Sequence, residues 1–351
     1  MTTLDAALNE LLADPLCTLP RDGSVLAWVG PAMPEDLLAA TRRPVVHLPW
    51  RMDFETPHAS AWIESGFPRW AHSMLEDWAS GRFDDIGDVV FSRGGDAGQR
   101  LYYYVCELQR SGRLRGPRPW LCDVALIPRD LSLRHTAQAL RTLGAALGVD
   151  EPALHAGIDE MNVRRGRLAA LGAARVDQGP LHEKLLRADL FTDLRSVLSD
   201  GVPPVTGAVR RRVLLAGSAP PDARLHEAVE QGGASVIAEW HDRAPCRLGD
   251  AIEAGDEPWL ALARQAHAQV VGPRSHGDAA AALLAAAKAA RAEAVVLWLA
   301  REDEALAWRV PAQRAALAAV GLPALVLPAS QGEGADGAPE AITRFIEGLS
   351  S

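Results

Sequence analysis

The stretch DVVFSRGGDAGQR, residues 88–100, carries an apolar strand straight into a polar turn. That turn offers Ser92, Arg93, Asp96 and the paired glycines Gly94 and Gly95. In open α/β sheets ligands gather where strands end in this way. A nucleophile and base could be imagined in Ser92 and His72, but no nucleophile elbow surrounds the serine, and acyl transfer is set aside. The stretch LLAGSAPP, residues 214–221, brings Gly217 and Ser218 to the end of a second strand, just before a helix. One reading is a phosphate cradle at a helix N-terminus; the other is an ordinary strand-to-helix turn. The spacing matches no nucleotide-binding glycine motif, and Pro220 and Pro221 remove two amide donors.

Two further strand ends concentrate reactive side chains. In AEWHDRAPCRLGD, residues 238–250, stand His241, Asp242, Cys246 and Arg247. His241, Asp242 and Cys246 are metal donors by type, with a spacing that favours no particular ion; a solvated loop or a site loop at the sheet edge are the alternatives. In WLAREDEALAW, residues 298–308, stand Arg301, Glu302, Asp303 and Glu304. Paired carboxylates suit acid–base work, though a charge run of this kind more often caps the first turn of a helix.

These turns need a parallel sheet to hold them. Short apolar runs at 24–30 and 44–50, then at 88–92 and 120–128, alternate with helical patterns. In the helix within 67–80 the apolar residues Trp70, Met74, Leu75 and Trp78 recur at helical spacing. Residues 129–200 are helical throughout, broken at 148–151 and 176–180, and the DGVPPVTGAV segment reads as a linker. A second alternation follows, with strands at 211–218, 234–240, 294–300 and 323–329 and helices at 221–232, 256–268, 277–291, 309–320 and 338–349. Strand–helix alternation of this kind predicts parallel sheets with crossover helices. The expectation is two Rossmann-like parallel α/β domains, residues 1–150 and 206–351, joined by a helical connector over 151–205.

Composition limits the function classes. Of 351 residues 48% are apolar and 23% charged, as in an ordinary globular protein. A net charge of −9 with a pI near 5.6 argues against nucleic-acid binding, which needs a basic face. No apolar run approaches the ~20 residues that cross a bilayer, and the N-terminus is acidic and amphipathic, unlike a signal peptide. The four cysteines, Cys17, Cys106, Cys122 and Cys246, form no CxxC pair, so neither a disulfide framework nor a zinc finger is expected. A cytoplasmic location is the resulting expectation.

Taken in order, several stretches resemble one family. VLAWVGPAMPEDLLAATRRPVVHL (25–48), RRVLLAGSAPPDARLHEAVEQGGASVIAEW (211–240), GDEPWLALARQAHAQVVGP (255–273) and AEAVVLWLAREDEALAWRVPAQRAALAAVGLPALVLPAS (292–330) resemble segments of the 2-hydroxyacyl-CoA dehydratase and benzoyl-CoA reductase superfamily. The resemblance implies two related subunits, each with two Rossmann-like domains, an acyl-CoA substrate, a [4Fe–4S] cluster between the domains and a separate ATP-dependent activator. It also implies cluster cysteines at places where this chain has other residues. At the helix that starts FPRWAHSML, residues 67–75, the chain has Pro68, with His72 and Ser73 following; after the opening strand it has Gly95 and Asp96; later it has Glu302 and Asp303, and near the remaining position Asp242. Thiolate sulfur holds such clusters. The expectation is therefore a subunit without cluster or metal of its own, shaping an acyl-CoA pocket beside a homologous cluster-bearing subunit. The substrate-contact candidates are Ser73, Ser92, Arg93, Gly95, Asp96, Gly217, Ser218, His241, Asp242, Glu302 and Asp303. A homodimer, a stand-alone acyl-CoA binder or non-redox enzyme, and a purely structural assembly partner are the alternatives.

Overall fold

A computed structural model describes residues 3–51, 54–125, 127, 129–173, 179–194, 198, 210–255, 257–269, 271–301, 303–328 and 337–349. In chain order the elements are α1 (Thr3–Ala13), β1 (Leu26–Val29), α2 (Glu35–Ala40), β2 (Val45–His47), α3 (Pro57–Trp62), α4 (Arg69–Ala79), β3 (Asp88–Ser92), α5 (Asp96–Arg110) and β4 (Arg118–Cys122). Then come α6 (Asp130–Ala146), α7 (Glu151–Ala173), α8 (Gly179–Ala188), β5 (Arg211–Gly217), α9 (Arg224–Gln231), β6 (Ala234–Trp240) and a short 3₁₀ turn (Pro245–Leu248). The chain continues through α10 (Pro258–Ala268), α11 (Ala279–Ala289), β7 (Ala294–Leu299), α12 (Glu304–Ala307), α13 (Val310–Ala319), β8 (Ala324–Pro328) and α14 (Ala338–Gly348).

The protein is α/β, with two four-stranded sheets in which every pairing is parallel. The orders are β2-β1-β3-β4 and β6-β5-β7-β8, so the two sheets share one topology. In each, the chain leaves the first strand to one side and returns to the other, which creates a topological switch point between β1 and β3 and again between β5 and β7.

The chain divides into two compact units. One comprises Met1–Asp14, Arg165–Arg247 and His276–Ser351; the other comprises Pro15–Arg164 and Leu248–Ser275. Helix α10 thus belongs with the β1–β4 sheet although it follows β6 in sequence. The reason is its packing on α6: a Cβ added at Gly144 would lie 2.3 Å from the Trp259 ring, and Thr136 Oγ1 meets His267 Nε2 at 2.9 Å.

In the β1–β4 unit, β1 is buried along its whole length, as a strand covered on both faces must be. Trp78 of α4 stacks on Phe91 of β3, with ring centroids 6.3 Å apart. The fourth strand ends at Cys122 and does not reach 128 as the apolar run suggested. Arg93 N takes the Cys122 carbonyl at 3.2 Å and Val124 N turns back onto the same oxygen at 3.2 Å, which ends the ladder. The break after α6 is made by Gly148 at φ +80°, with Val149 N closing on Gly144 O at 2.8 Å.

In the β5–β8 unit the strands alternate between two cores. Val213, Leu215, Val296 and Trp298 pack with Leu225 and Val229 of α9 and Ile342 and Ile346 of α14. Leu214, Ala216, Val295 and Leu297 pack on the other face with Leu283 and Ala287 of α11 and Leu317 of α13. Strand β6 changes faces part-way. Its register against β5 jumps between Val213 and Leu214, a bulge at Ile237, so that Val236 lies in the first core while Ala238 and Trp240 pack on the second. The expected helix at 309–320 is preceded by the separate short turn α12. The linker at 200–209 lies outside the described residues. No helix among the described residues is long and apolar enough to cross a membrane.

Candidate functional site

At the β1/β3 switch point the turn that opens α5 is committed to the protein itself. The buried Ser92 hydroxyl donates to Pro31 O and accepts from Gly94 N at 2.9 Å. A Cβ on Gly94 would come within 2.3 Å of Pro31 O, and one on Gly95 within 3.3 Å of the Pro31 ring. Glycine is required here because the turn after β3 presses on the turn after β1. Arg93 pairs with Asp123, and His135 approaches the same carboxylate at 3.7 Å. Asp96, at the start of α5, pairs with Arg274 at 3.0 Å; that guanidinium also donates to Arg93 O at 3.1 Å and Gln99 Oε1 at 3.2 Å. Pro273 lies 3.8 Å from where a Gly95 Cβ would be, so the 272–274 segment covers the turn. Ser73 sits on the buried face of α4 and accepts from Arg51 N at 2.7 Å. His72 bonds Pro68 O in its own helix at 3.4 Å.

At the β5/β7 switch point the same device recurs. Gly217 has φ +105°, and a Cβ there would lie 2.1 Å from Trp298 O. Ser218 N donates to Trp298 O at 2.8 Å, and its hydroxyl accepts from Ala300 N at 2.8 Å. One serine therefore stitches the two strand-end turns together in each sheet. Gly217 serves a backbone contact within the sheet. Asp303 precedes the four-residue α12 without a side-chain cap bond, and Glu302 lies outside the described residues.

His241, by contrast, belongs to a buried constellation at the end of β6. Its Nδ1 accepts from Arg243 N at 3.2 Å, which places the ring proton on Nε2, 2.6 Å from Glu239 Oε2. The other carboxylate oxygen, Glu239 Oε1, lies 3.0 Å from Nε2 of His226 on α9. All three side chains are at most 3% exposed. The bulge at Ile237 makes this meeting possible by turning Glu239 toward the α9 side of the sheet. Beside it, Arg187 Nε lies 3.2 Å from Glu183 Oε1 across one turn of α8, and Arg247 pairs with Asp189 at 2.6 Å in a buried bridge. Burial pushes the Glu183 carboxyl above its ordinary range and the Arg243 guanidinium below its own. Asp242 is half-buried and adjoins the cluster through Arg243.

A carboxylate held between two imidazoles is equipped to hold and move protons. Of its members only His241 was legible as a candidate; Glu239, His226 and Glu183 were not. The available signal was Glu239 itself, a charged residue inside an otherwise apolar strand, since such residues are buried only with partners.

The thiols tell against a cluster at the positions the resemblance implies. Pro68 and Gly95 have no donor side chain and serve as N-caps of α4 and α5. Cys106, Cys122 and Cys246 stand away from those positions, and burial pushes Cys122 and Cys246 up to about 12 and raises Cys106. Cys246 donates to His241 O at 3.4 Å. At the positions the resemblance implies, Pro68 and Gly95 do not fit an iron–sulfur cluster. Compared with known proteins, the chain matches no family model and no curated protein.

Proposed function

We propose that the chain is a cluster-free subunit of a complex resembling the 2-hydroxyacyl-CoA dehydratases and benzoyl-CoA reductases, in which it helps shape an acyl-CoA pocket. One observation carries this reading. Both sheets keep the same parallel order and the same serine-stitched turns at their switch points, while Pro68 and Gly95 stand where ligand cysteines would be. A fold kept in such detail with no sulfur donor at those positions suits a partner of a cluster-bearing homologue, with an ATP-dependent activator acting on that partner. The test is anaerobic purification of the tagged chain from its own host. A co-purifying homologous chain that carries all the iron is the expected result. Stoichiometric iron on this chain alone, or a stable lone monomer, overturns it.

The buried His226–Glu239–His241 chain favours a second reading, a stand-alone non-redox enzyme or binder of acyl-CoA. Calorimetric titration of the isolated chain with acyl-CoA esters separates the two, because only the second expects saturable binding without a partner.

A further inference from the structure

Beside Trp298 Nε1, three buried polar atoms among the described residues of the β5–β8 unit have no hydrogen-bond partner: Glu183 Oε2, Arg187 Nε and His226 Nδ1. They belong to adjoining groups. Glu183 and Arg187 are one turn apart on α8, α8 packs on α9, and the charges of Arg187, His226, Glu239 and Arg243 all act on the Glu183 carboxyl. An unpaired buried polar atom is costly, and native interiors meet such demands with ordered water that has two to four polar partners.

We propose that these three atoms hold one internal water, which joins Glu183 to the His226–Glu239–His241 chain as a continuous proton relay from α8 to the turn after β6. The donor and acceptor roles are complementary. His226 gives its Nε2 proton to Glu239, so its Nδ1 offers a lone pair and needs a donor. Arg187 Nε lies 3.2 Å from Glu183 Oε1 as an ion pair without a hydrogen bond, so its N–H is a donor that still lacks an acceptor. Glu183 Oε2 accepts a proton when ionised and offers one when neutral. Water, with two protons and two lone pairs, meets all three in either state of Glu183. The relay step balances: neutral Glu183 releases its proton to the water, and the water passes one of its own to His226 Nδ1. His226 is then an imidazolium facing ionised Glu239. The facing groups are Glu183 and Arg187 on α8, His226 on α9, Glu239 on β6, and His241, Asp242 and Arg243 after it. This inference does not depend on the acyl-CoA reading.

A crystal structure of the full chain that resolves ordered water, together with histidine ¹⁵N spectra, tests it. His226 is assigned from the spectrum of His226→Gln. The expected result is one water within hydrogen-bond distance of all three atoms, with the His226 Nδ1 resonance shifted as a hydrogen-bonded acceptor. In Glu183→Leu that water is lost and the resonance moves toward the unbonded position. Glu183→Gln, which keeps a polar group and serves if the leucine variant does not fold, retains both. A direct Glu183–His226 bond without water, or an Nδ1 resonance unmoved in Glu183→Leu, overturns the relay.

Discussion

Replacing Gly217 with alanine separates a glycine kept for the sheet from one kept for a ligand. Gly217 sits at φ +105°, and the added Cβ would lie 2.1 Å from Trp298 O. A non-glycine residue held at such a backbone angle costs roughly 1–3 kcal/mol. The methyl must also push away the carbonyl that accepts Ser218 N at 2.8 Å, and losing a hydrogen bond of that kind costs about 1 kcal/mol more. The sum, about 3 kcal/mol, is a large part of the ~5–15 kcal/mol that holds a folded protein together. Gly233 supplies the control. It lies in the same unit at φ +88° with open space where its Cβ would go, so Gly233→Ala pays for the backbone angle alone. Urea unfolding followed by circular dichroism, read on the same transition for both variants, should show Gly217→Ala less stable than Gly233→Ala by about 1–2 kcal/mol. Equal losses within about 0.5 kcal/mol, the usual spread of innocuous surface changes, would refute the close-approach account and return Gly217 to the ligand.

Two other expectations concern ionisation. Burial raises the Glu183 carboxyl above its ordinary value of 4.5, so between 4.5 and the folded value the native chain holds a proton that the unfolded chain releases. The stability contributed by that proton is complete below 4.5 and is lost as pH rises through the window. Glu183→Gln should flatten this part of the pH–stability profile, and parallel profiles for the two proteins would show the group ionised throughout. For the thiols, iodoacetamide labelling with peptide mapping should modify exposed Cys17 first, half-buried Cys246 more slowly because its thiol is pushed up to about 12, and buried Cys122 only once the chain unfolds. Labelling of Cys246 as fast as Cys17 would contradict its burial.

The sequence by itself determined the strand–helix alternation and hence the two parallel sheets. Buried parallel strands must be short, continuous apolar runs, and residues 26–29, 88–92 and 294–299 are such runs, each ending in a polar turn. It also placed glycine and serine at both switch points. What they do there was decided only in three dimensions, because the atoms that Gly94, Gly95 and Gly217 must avoid belong to Pro31 and Trp298, more than sixty residues away in sequence. Arg274 reaches Asp96 across 178 positions, and nothing local announces that pairing. The clearest case is β6. Strict alternation from Ala234 would put Val236, Ala238 and Trp240 on one face, and the bulge at Ile237 divides them between two. That extra residue turns Glu239 toward His226, and it arises from pairing with β5, which the composition of β6 does not encode. Periodicity is a local property of the chain, so the elements could be read from it; the site is made of contacts between elements, and those depend on register and packing.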